Sequence, residues 1–94
     1  MQTQVTFRQV KSNPDLHNAA MEATKKFGKF LEDIISTDII FKNDANKVVE
    51  FTVRVKGDTL VVKEESEDFI KSLNEGTDKM VRQIRKWKEK ISSK

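Results

Sequence analysis

The basic side chains near the carboxyl end of the sequence are the groups with the most evident chemistry. Residues 79–94 contain seven lysines and arginines and a single acid, whereas residues 1–78 contain eleven cations and fourteen anions. The seven cations are Lys79, Arg82, Arg85, Lys86, Lys88, Lys90 and Lys94. Such a segregated excess is what a polyanion-binding surface needs. A solvated helix face with a favourable dipole interaction explains the same residues without any partner.

The spacing of apolar residues predicts that these cations lie on one helix. The predicted buried stripe consists of Phe69, Leu73, Thr77, Met80, Ile84, Trp87 and Ile91. At about 100° per residue, four cations then form a ridge beside this stripe. They are Lys79, Arg82, Lys86 and Lys90. Arg85 and Lys88 fall on the opposite flank of the helix, and Gln83 lies between the ridge and the core.

A second group of cations is predicted on the exposed side of an earlier helix. It consists of Lys25, Lys26 and Lys29. If the two helices pack side by side, both groups join into a patch suited to nucleic-acid phosphates.

No combination of residues that would support catalysis is evident. His17 is the only histidine and the chain has no cysteine, so a zinc site would lack a second histidine or cysteine ligand, and a Cys–His nucleophile would lack its thiol. The three glycines are isolated and form no phosphate loop. One acidic cluster contains Glu64, Glu65, Glu67 and Asp68. A hard-cation or acid–base role is open to it, but acids at a helix start explain it more simply, so we expect a non-enzyme without metal or cofactor.

The aromatic residues are not placed as in proteins that bind single-stranded nucleic acid by base stacking. Phe51 belongs to the predicted buried face of a strand, and the predicted wet face carries no aromatic pair for base stacking. Phe30 and Trp87 are expected at the edge of the core. We therefore expect recognition of structured RNA through its backbone and shape.

The elements that position these residues follow from hydrophobic periodicity and turn chemistry. Strands are predicted at 2–10, 37–42, 47–56 and 59–64, with a tight turn at Gly57-Asp58. Asn13 and Pro14 predict the start of a helix that ends near Asp33, and Ser66 is the predicted cap of the last helix. The fold class is α+β with the order β-α-β-β-β-α. Two helices are expected on one face of a four-stranded, antiparallel-type sheet, in a single domain over residues 1–94.

Composition and hydropathy narrow the class of protein further. Charged residues reach 35% and there is no cysteine, so a disulfide scaffold is excluded. No apolar run approaches the length of a membrane span, and the first residues do not resemble a secretory signal. We therefore expect a cytoplasmic protein with no membrane or small-molecule partner.

Three segments resemble the ribosome hibernation promoting factor and ribosome-associated inhibitor family, whose members are also called sigma-factor modulation proteins. Residues 78–90, DKMVRQIRKWKEK, resemble the closing helix of that family, and the resemblance is fairly specific because it fixes charged and apolar positions together. Residues 26–34 resemble the end of the family's first helix, and residues 67–69 the start of its second. Element order and length also agree over residues 1–91.

The resemblance implies a bacterial protein that binds the small ribosomal subunit and its rRNA in the channel for mRNA and tRNA. Translation would stop, and idle ribosomes would be preserved under stress or slow growth. The chain would be a short form or a fragment of a long form, and it is expected to be monomeric off the ribosome. Matching basic positions are Lys26, Lys29, Lys79, Arg82, Lys86, Lys88 and Lys90. The chain departs from the family at Glu22 and Ala23, where basic residues are common, and at Gly28, where a charged residue is usual.

Helix geometry and resemblance together define the candidate ribosome-binding residues. They are Lys25, Lys26, Lys29, Lys79, Arg82, Arg85, Lys86, Lys88 and Lys90. Two other binding functions stay open: a general structured-RNA-binding module, and an interaction domain that docks an acidic protein. A small acylphosphatase-like enzyme is less consistent, because it would end in a strand.

Overall fold

The computed structural model of the chain describes residues 1–92, so Lys94 lies outside the described residues. Six elements follow one another in the predicted order β-α-β-β-β-α. They are β1 (Gln2–Arg8), α1 (Pro14–Phe30), β2 (Ser36–Asp44), β3 (Asn46–Val55), β4 (Asp58–Ser66) and α2 (Phe69–Ser92). The α+β fold class is confirmed.

The four strands form one sheet in the order β1-β2-β3-β4. β2, β3 and β4 pair antiparallel, whereas β1 pairs parallel with β2, with Val5 opposite Ile39. A parallel pair needs a crossover connection, and α1 provides it by returning the chain to the end of the sheet where β1 begins. The sheet is therefore mixed, with a single parallel ladder at one edge.

The core lies between the helices and one face of the sheet. β3 alternates as predicted, with Phe51 buried and Arg54 exposed. Phe27 of α1 meets Phe51 edge-on, with ring centroids 6.3 Å apart. Phe41 of β2 meets Phe69 of α2 in the same way at 5.6 Å. Both helices therefore cover the same sheet face, and the other face is largely accessible to solvent.

The start of α1 confirms the sequence prediction. Asn13 Oδ1 accepts hydrogen bonds from the backbone N–H groups of Asp15 and Leu16, at 2.9 and 3.3 Å. Pro14 occupies the first helical position, where its missing N–H is not needed. The predicted stripe is buried at Leu16, Ala20, Ala23, Phe27 and Leu31.

The end of α1 comes earlier than predicted. The helix stops at Phe30, not near Asp33, because Leu31 adopts an extended backbone with φ −150°. The Leu31 N–H still donates to the Phe27 carbonyl oxygen. Lys29 consequently lies in the last turn, where a cation interacts favourably with the helix dipole.

The start of α2 corrects the predicted cap. β4 continues through Ser66, which pairs with Lys47 of β3, so Ser66 belongs to the sheet. Asp68 takes the capping role, because its Oδ2 accepts from the backbone N–H of Lys71 at 3.1 Å. Ser66 Oγ supports the turn by accepting from the Asp68 N–H at 3.2 Å. The acids predicted in the first turn therefore precede the helix.

The buried face of α2 agrees with the prediction except at its end. Leu73, Met80 and Ile84 are 2%, 0% and 0% exposed. A Cβ atom on Gly76 would overlap the Phe51 ring, so α2 approaches β3 closely at this glycine. Ile91 was expected in the buried stripe but is 46% exposed, because it lies in the last helical turn, where the core cluster has ended.

The turn between β3 and β4 is displaced by one residue from the prediction. Val55 pairs with Asp58, so the two-residue loop is Lys56-Gly57. Gly57 has φ 81°, a conformation that costs glycine little. The predicted Gly57-Asp58 turn is wrong because Asp58 already belongs to the ladder.

The turn between β2 and β3 is tighter than its asparagine-rich sequence indicates. Asp44 pairs with Asn46, which leaves Ala45 alone at the apex. Ala45 has φ 61°, in the left-handed region that L-residues with a Cβ disfavour. The short loop thus imposes a strained conformation on an alanine.

Candidate nucleic-acid interface

The ridge on α2 lies on the side of the helix away from the core. Its members, Lys79, Arg82, Lys86 and Lys90, are all exposed. Leu73, Met80 and Ile84 hold the opposite side of α2 in the core, so the ridge is directed toward solvent. This arrangement follows from the helical spacing of the apolar residues.

Several of the candidate cations keep their full charge available. Within residues 1–92, no ion pair or side-chain hydrogen bond engages Lys29, Arg82, Arg85 or Lys86. Each of these side chains is exposed. A polyanion can therefore bind them without first displacing an internal partner.

Lys79 differs from the rest of the ridge because it has an internal partner. Its Nζ lies 2.7 Å from Oε2 of Glu64 in β4. The Glu64 side chain is only 15% exposed, and this oxygen has no hydrogen bond of good geometry within residues 1–92. The ion pair with Lys79 is consequently what compensates this carboxylate.

The alternation of residues in β4 contains a signal for this pair. Leu60 and Val62 are buried on the inner face of β4, and Glu64 follows them at the same alternation. An inward-pointing carboxylate needs a cation, and it also protects an edge strand from pairing with another sheet. Nothing in the linear sequence names Lys79 as that cation, since the pairing depends on how α2 crosses β4.

The lysines of α1 are exposed and weakly paired. Lys25 Nζ lies 3.4 Å from Glu22 Oε1, with both side chains about two-thirds exposed or more. Lys26 Nζ lies 3.7 Å from Oδ1 of Asp78 in α2, again with both groups exposed. Exposed pairs of this kind contribute about 0–1 kcal/mol, so a phosphate can compete with them.

The opposite flank of α2 faces the end of α1. Lys88 Nζ donates to the carbonyl oxygen of Phe30 at 2.6 Å. A groove of about 440 Å³ lies beside this contact. Its walls are formed by Phe30, Leu31, Arg85, Lys88, Glu89 and Ile91.

The two helices therefore meet along a boundary lined by cations from both. Lys26 reaches Asp78 at one point of this boundary, and Lys88 reaches Phe30 at another. The sequence left open whether the helices pack side by side, and the structure shows that they do. Phe30 is half-buried against the core, as expected for a residue at its edge.

The remaining sequence candidates have structural contacts or lie at the surface. In the acidic cluster, Asp68 caps α2 and Glu64 pairs with Lys79. His17 is exposed in the first turn of α1. Residues 1–92 contain no group of three or more histidine, cysteine or acidic side chains placed to hold a metal ion. Over that range neither helix has the length and apolarity needed to cross a membrane.

Comparison with solved structures identifies close matches to the whole fold. A ribosomal subunit interface protein from Coxiella burnetii has a TM-score of 0.88 and 26% identity, over 95% of this chain and 99% of that chain. The N-terminal domain of Protein Y from Thermus thermophilus has a TM-score of 0.83 and 12% identity, over 93% and 99%. The second likeness shows the fold alone. Among curated protein sequences, none matches significantly.

The family assignment comes from the sequence over almost its full length. Residues 3–92 match the sequence model of the Ribosomal S30AE family, described as Sigma 54 modulation protein / S30EA ribosomal protein. This is the family that the resemblance of residues 78–90 indicated. With the fold, the basic helix faces and this match in agreement, the chain belongs to the Ribosomal S30AE family.

Proposed function

We propose that this protein binds the small ribosomal subunit through the basic faces of α1 and α2 and thereby inhibits translation. The observation that carries the proposal is the set of exposed cations without internal partners among residues 1–92, namely Lys29, Arg82, Arg85 and Lys86. They lie on two helices that pack side by side. The phosphates of rRNA are the dense anions that such a surface fits.

The comparisons support a ribosomal partner in coarse terms. The family description names a ribosomal protein, and the Coxiella burnetii neighbour is a ribosomal subunit interface protein. The proposal is more specific: the chain occupies the channel for mRNA and tRNA and promotes ribosome hibernation under stress or slow growth, in the bacterial cytoplasm. It acts by binding as a monomer, without cofactor or catalysis.

The proposed contact residues divide into two groups with different roles. Lys25, Lys26, Lys29, Arg82, Arg85, Lys86, Lys88 and Lys90 are proposed to contact rRNA. Lys79 lies on the same ridge, but its pairing with the mostly buried Glu64 gives it a role in stability as well. A variant of Lys79 therefore confounds folding with binding, and the decisive test leaves this residue intact.

The test uses a charge-removing double variant, Arg82→Gln with Lys86→Gln. We expect it to lose most of the inhibition of cell-free translation and most co-sedimentation with purified small subunits. Its thermal melting, followed by circular dichroism, should match that of the wild type, because exposed substitutions usually change stability by no more than ~0.5 kcal/mol.

A matched control removes the same charge elsewhere. Lys56 in a hairpin loop and Lys63 on β4 are exposed and lie outside both helices. Lys56→Gln with Lys63→Gln should inhibit like the wild type. Equal inhibition by all three proteins would refute the proposed surface. Binding that survives complete ribonuclease digestion of the subunits would instead indicate an acidic protein partner.

A further inference from the structure

The groove between the ends of the two helices combines apolar and cationic groups in a way that phosphate binding alone does not require. Phe30 is half-buried and Ile91 is 46% exposed, so both present apolar surface to the groove. Arg85 and Lys88 lie on the same walls. Backbone contacts to RNA use the cations but leave this apolar surface in water.

The backbone that carries the aromatic wall of the groove is fixed by hydrogen bonds. Phe30 is the last residue of α1, and the Leu31 N–H that follows it bonds to the Phe27 carbonyl oxygen. Lys88 Nζ fixes the Phe30 carbonyl from α2 at 2.6 Å. Because the backbone at Phe30 is fixed from both helices and its ring packs against the core, little conformational entropy is lost when a planar group packs on the ring.

The positive charges of the groove are not neutralised by partners within the described residues, so they are available to a ligand. Arg85 has no internal partner among residues 1–92. Lys88 donates to a neutral carbonyl oxygen, so its positive charge is not cancelled. Glu89 contributes one negative charge to the walls, which leaves the lining groups with a net positive charge. The site thus suits a ligand with a flat apolar part and an adjacent anion.

From these features we infer that the groove binds an unpaired nucleotide of the RNA, with the base packed between Phe30 and Ile91 and its phosphate against Arg85. This inference rests on the proposed function and extends it, because the sequence indicated recognition through backbone and shape alone. A nucleotide is favoured over an acidic peptide because the proposed function already places RNA along α2, where the exposed Arg82 lies one helical turn before Arg85. Base stacking on aromatic side chains is tolerant of sequence, so the groove anchors a flipped or single-stranded base without specifying it.

The test compares two probes with equal numbers of phosphates. One is a ten-nucleotide oligoadenylate, and the other is a ten-unit abasic ribose-phosphate oligomer. Affinities are measured with the full chain by the fluorescence of Trp87, the single tryptophan, which lies one helical turn before Ile91. We expect the oligoadenylate to bind about tenfold more tightly than the abasic oligomer, because the stacking of one base contributes about that factor to affinity.

Two variants locate the effect in the groove. Ile91→Ser should clearly reduce the preference for the base-containing probe, because one of the two apolar walls is lost, and Arg85→Gln should weaken the binding of both probes. The matched control is Ile70→Ser at the other end of α2, where Ile70 is 40% exposed, and it should keep the full preference. Since Ile91 is exposed, its replacement does not endanger the fold.

Each contrary result is informative. Equal affinity of the wild type for both probes would overturn the inference, and so would an undiminished preference in Ile91→Ser. A shift of the Ile91 methyl resonances by an aromatic acidic peptide, with none from oligoadenylate, would also overturn it and assign the groove to a protein partner. Co-sedimentation of the wild type with small subunits, measured in parallel, reports separately on the proposed function.

Discussion

Among single residues, Lys79 and Glu64 show how one cation of a binding surface can also be part of the fold. Removing Lys79 leaves a carboxylate that is only 15% exposed without its ion pair. We expect Lys79→Ala to lower the free energy of unfolding by about 1 kcal/mol, at the upper end of the range for exposed pairs. Urea denaturation measures the change.

The controls for this pair use its neighbour and its partner. Arg82→Ala, one helical turn along the ridge, should change stability by no more than ~0.5 kcal/mol. Glu64→Gln should cost less when Lys79 is already alanine than in the wild type, because the two residues interact directly. Identical stabilities of Lys79→Ala and Arg82→Ala would show that the ion pair does not contribute to the stability of the fold.

Replacing the two helical glycines with alanine is expected to change the stability of the protein in opposite directions. Gly76→Ala places a methyl group into the Phe51 ring, so stability should fall by about 1–3 kcal/mol despite the better helix propensity of alanine. Gly28→Ala meets only the Met1 Cε atom at 3.6 Å, an ordinary contact. Its stability should rise by up to about 1 kcal/mol.

Chemical denaturation of both variants beside the wild type tests this assignment. A Gly76→Ala protein that is more stable than the wild type would mean that α2 does not approach β3 as closely as the structure shows. Restoration of stability by Phe51→Leu in the Gly76→Ala background would identify the ring as the source of the loss.

For the strands and turns, the two hairpin loops offer a reciprocal test of backbone strain. Ala45 and Gly57 both have positive φ, at 61° and 81°. Ala45→Gly should stabilise the protein by about 1 kcal/mol, and Gly57→Ala should destabilise it by about the same amount. A Cβ at residue 57 meets nothing within 4 Å, so the second effect isolates the backbone term.

The measurement is the shift in the denaturation midpoint of each variant, with the slope of the transition as a check that the unfolded state is unchanged. Loss of stability in Ala45→Gly would show that the β2–β3 loop tolerates its alanine without strain.

For the helices and strands, the sequence predicts which elements form better than it predicts where they begin and end. Asn13 and Pro14 indicate the start of α1 correctly because capping is local chemistry. The start of α2 cannot be read in the same way, since Ser66 and Asp68 are both good caps. Pairing of Ser66 with Lys47 decides between them, and that contact joins distant parts of the chain. The direction of β1 is likewise hidden, because alternation is the same in parallel and antiparallel edge strands.

In the candidate site, too, features set by local sequence are predictable, whereas contacts between separate elements are not. Helical spacing predicts that Arg82 and Lys86 share a solvent face, and the structure confirms their exposure. The contacts of Lys79 with Glu64 and of Lys88 with Phe30 depend on the packing of separate elements, so periodicity within one helix does not reveal them. That the cations bind rRNA stays a prediction, as does the assignment of residues 1–94 to one domain.

In the molecule as a whole, the basic helix faces predict a strong dependence of binding on salt. Phosphate contacts release counterions, so about six of them would weaken affinity roughly 10³-fold between 50 and 200 mM salt. Titration of labelled protein against small subunits at several salt concentrations measures the slope. Magnesium held by folded rRNA will reduce it.

Two variants sharpen the salt experiment. Arg82→Gln with Lys86→Gln should lower the slope, because fewer counterions are released. Lys56→Gln with Lys63→Gln should leave the slope unchanged, since those lysines lie outside both helices. Affinity that does not vary with salt would exclude phosphate contacts as the basis of binding.

The parallel ladder of β1 also has a consequence for how the protein opens. No residue of β1 is fully buried, and Val5 pairs with Ile39, 34 positions along the chain. The strands β2, β3 and β4 are joined by short turns, so their pairing costs little loop-closure entropy. β1, in contrast, docks only after a long loop has been closed. Local unfolding should therefore begin with β1, and its departure uncovers the edge of β2. Two such opened molecules can exchange their first strands, so slow domain swapping at high concentration is the hazard that this topology carries.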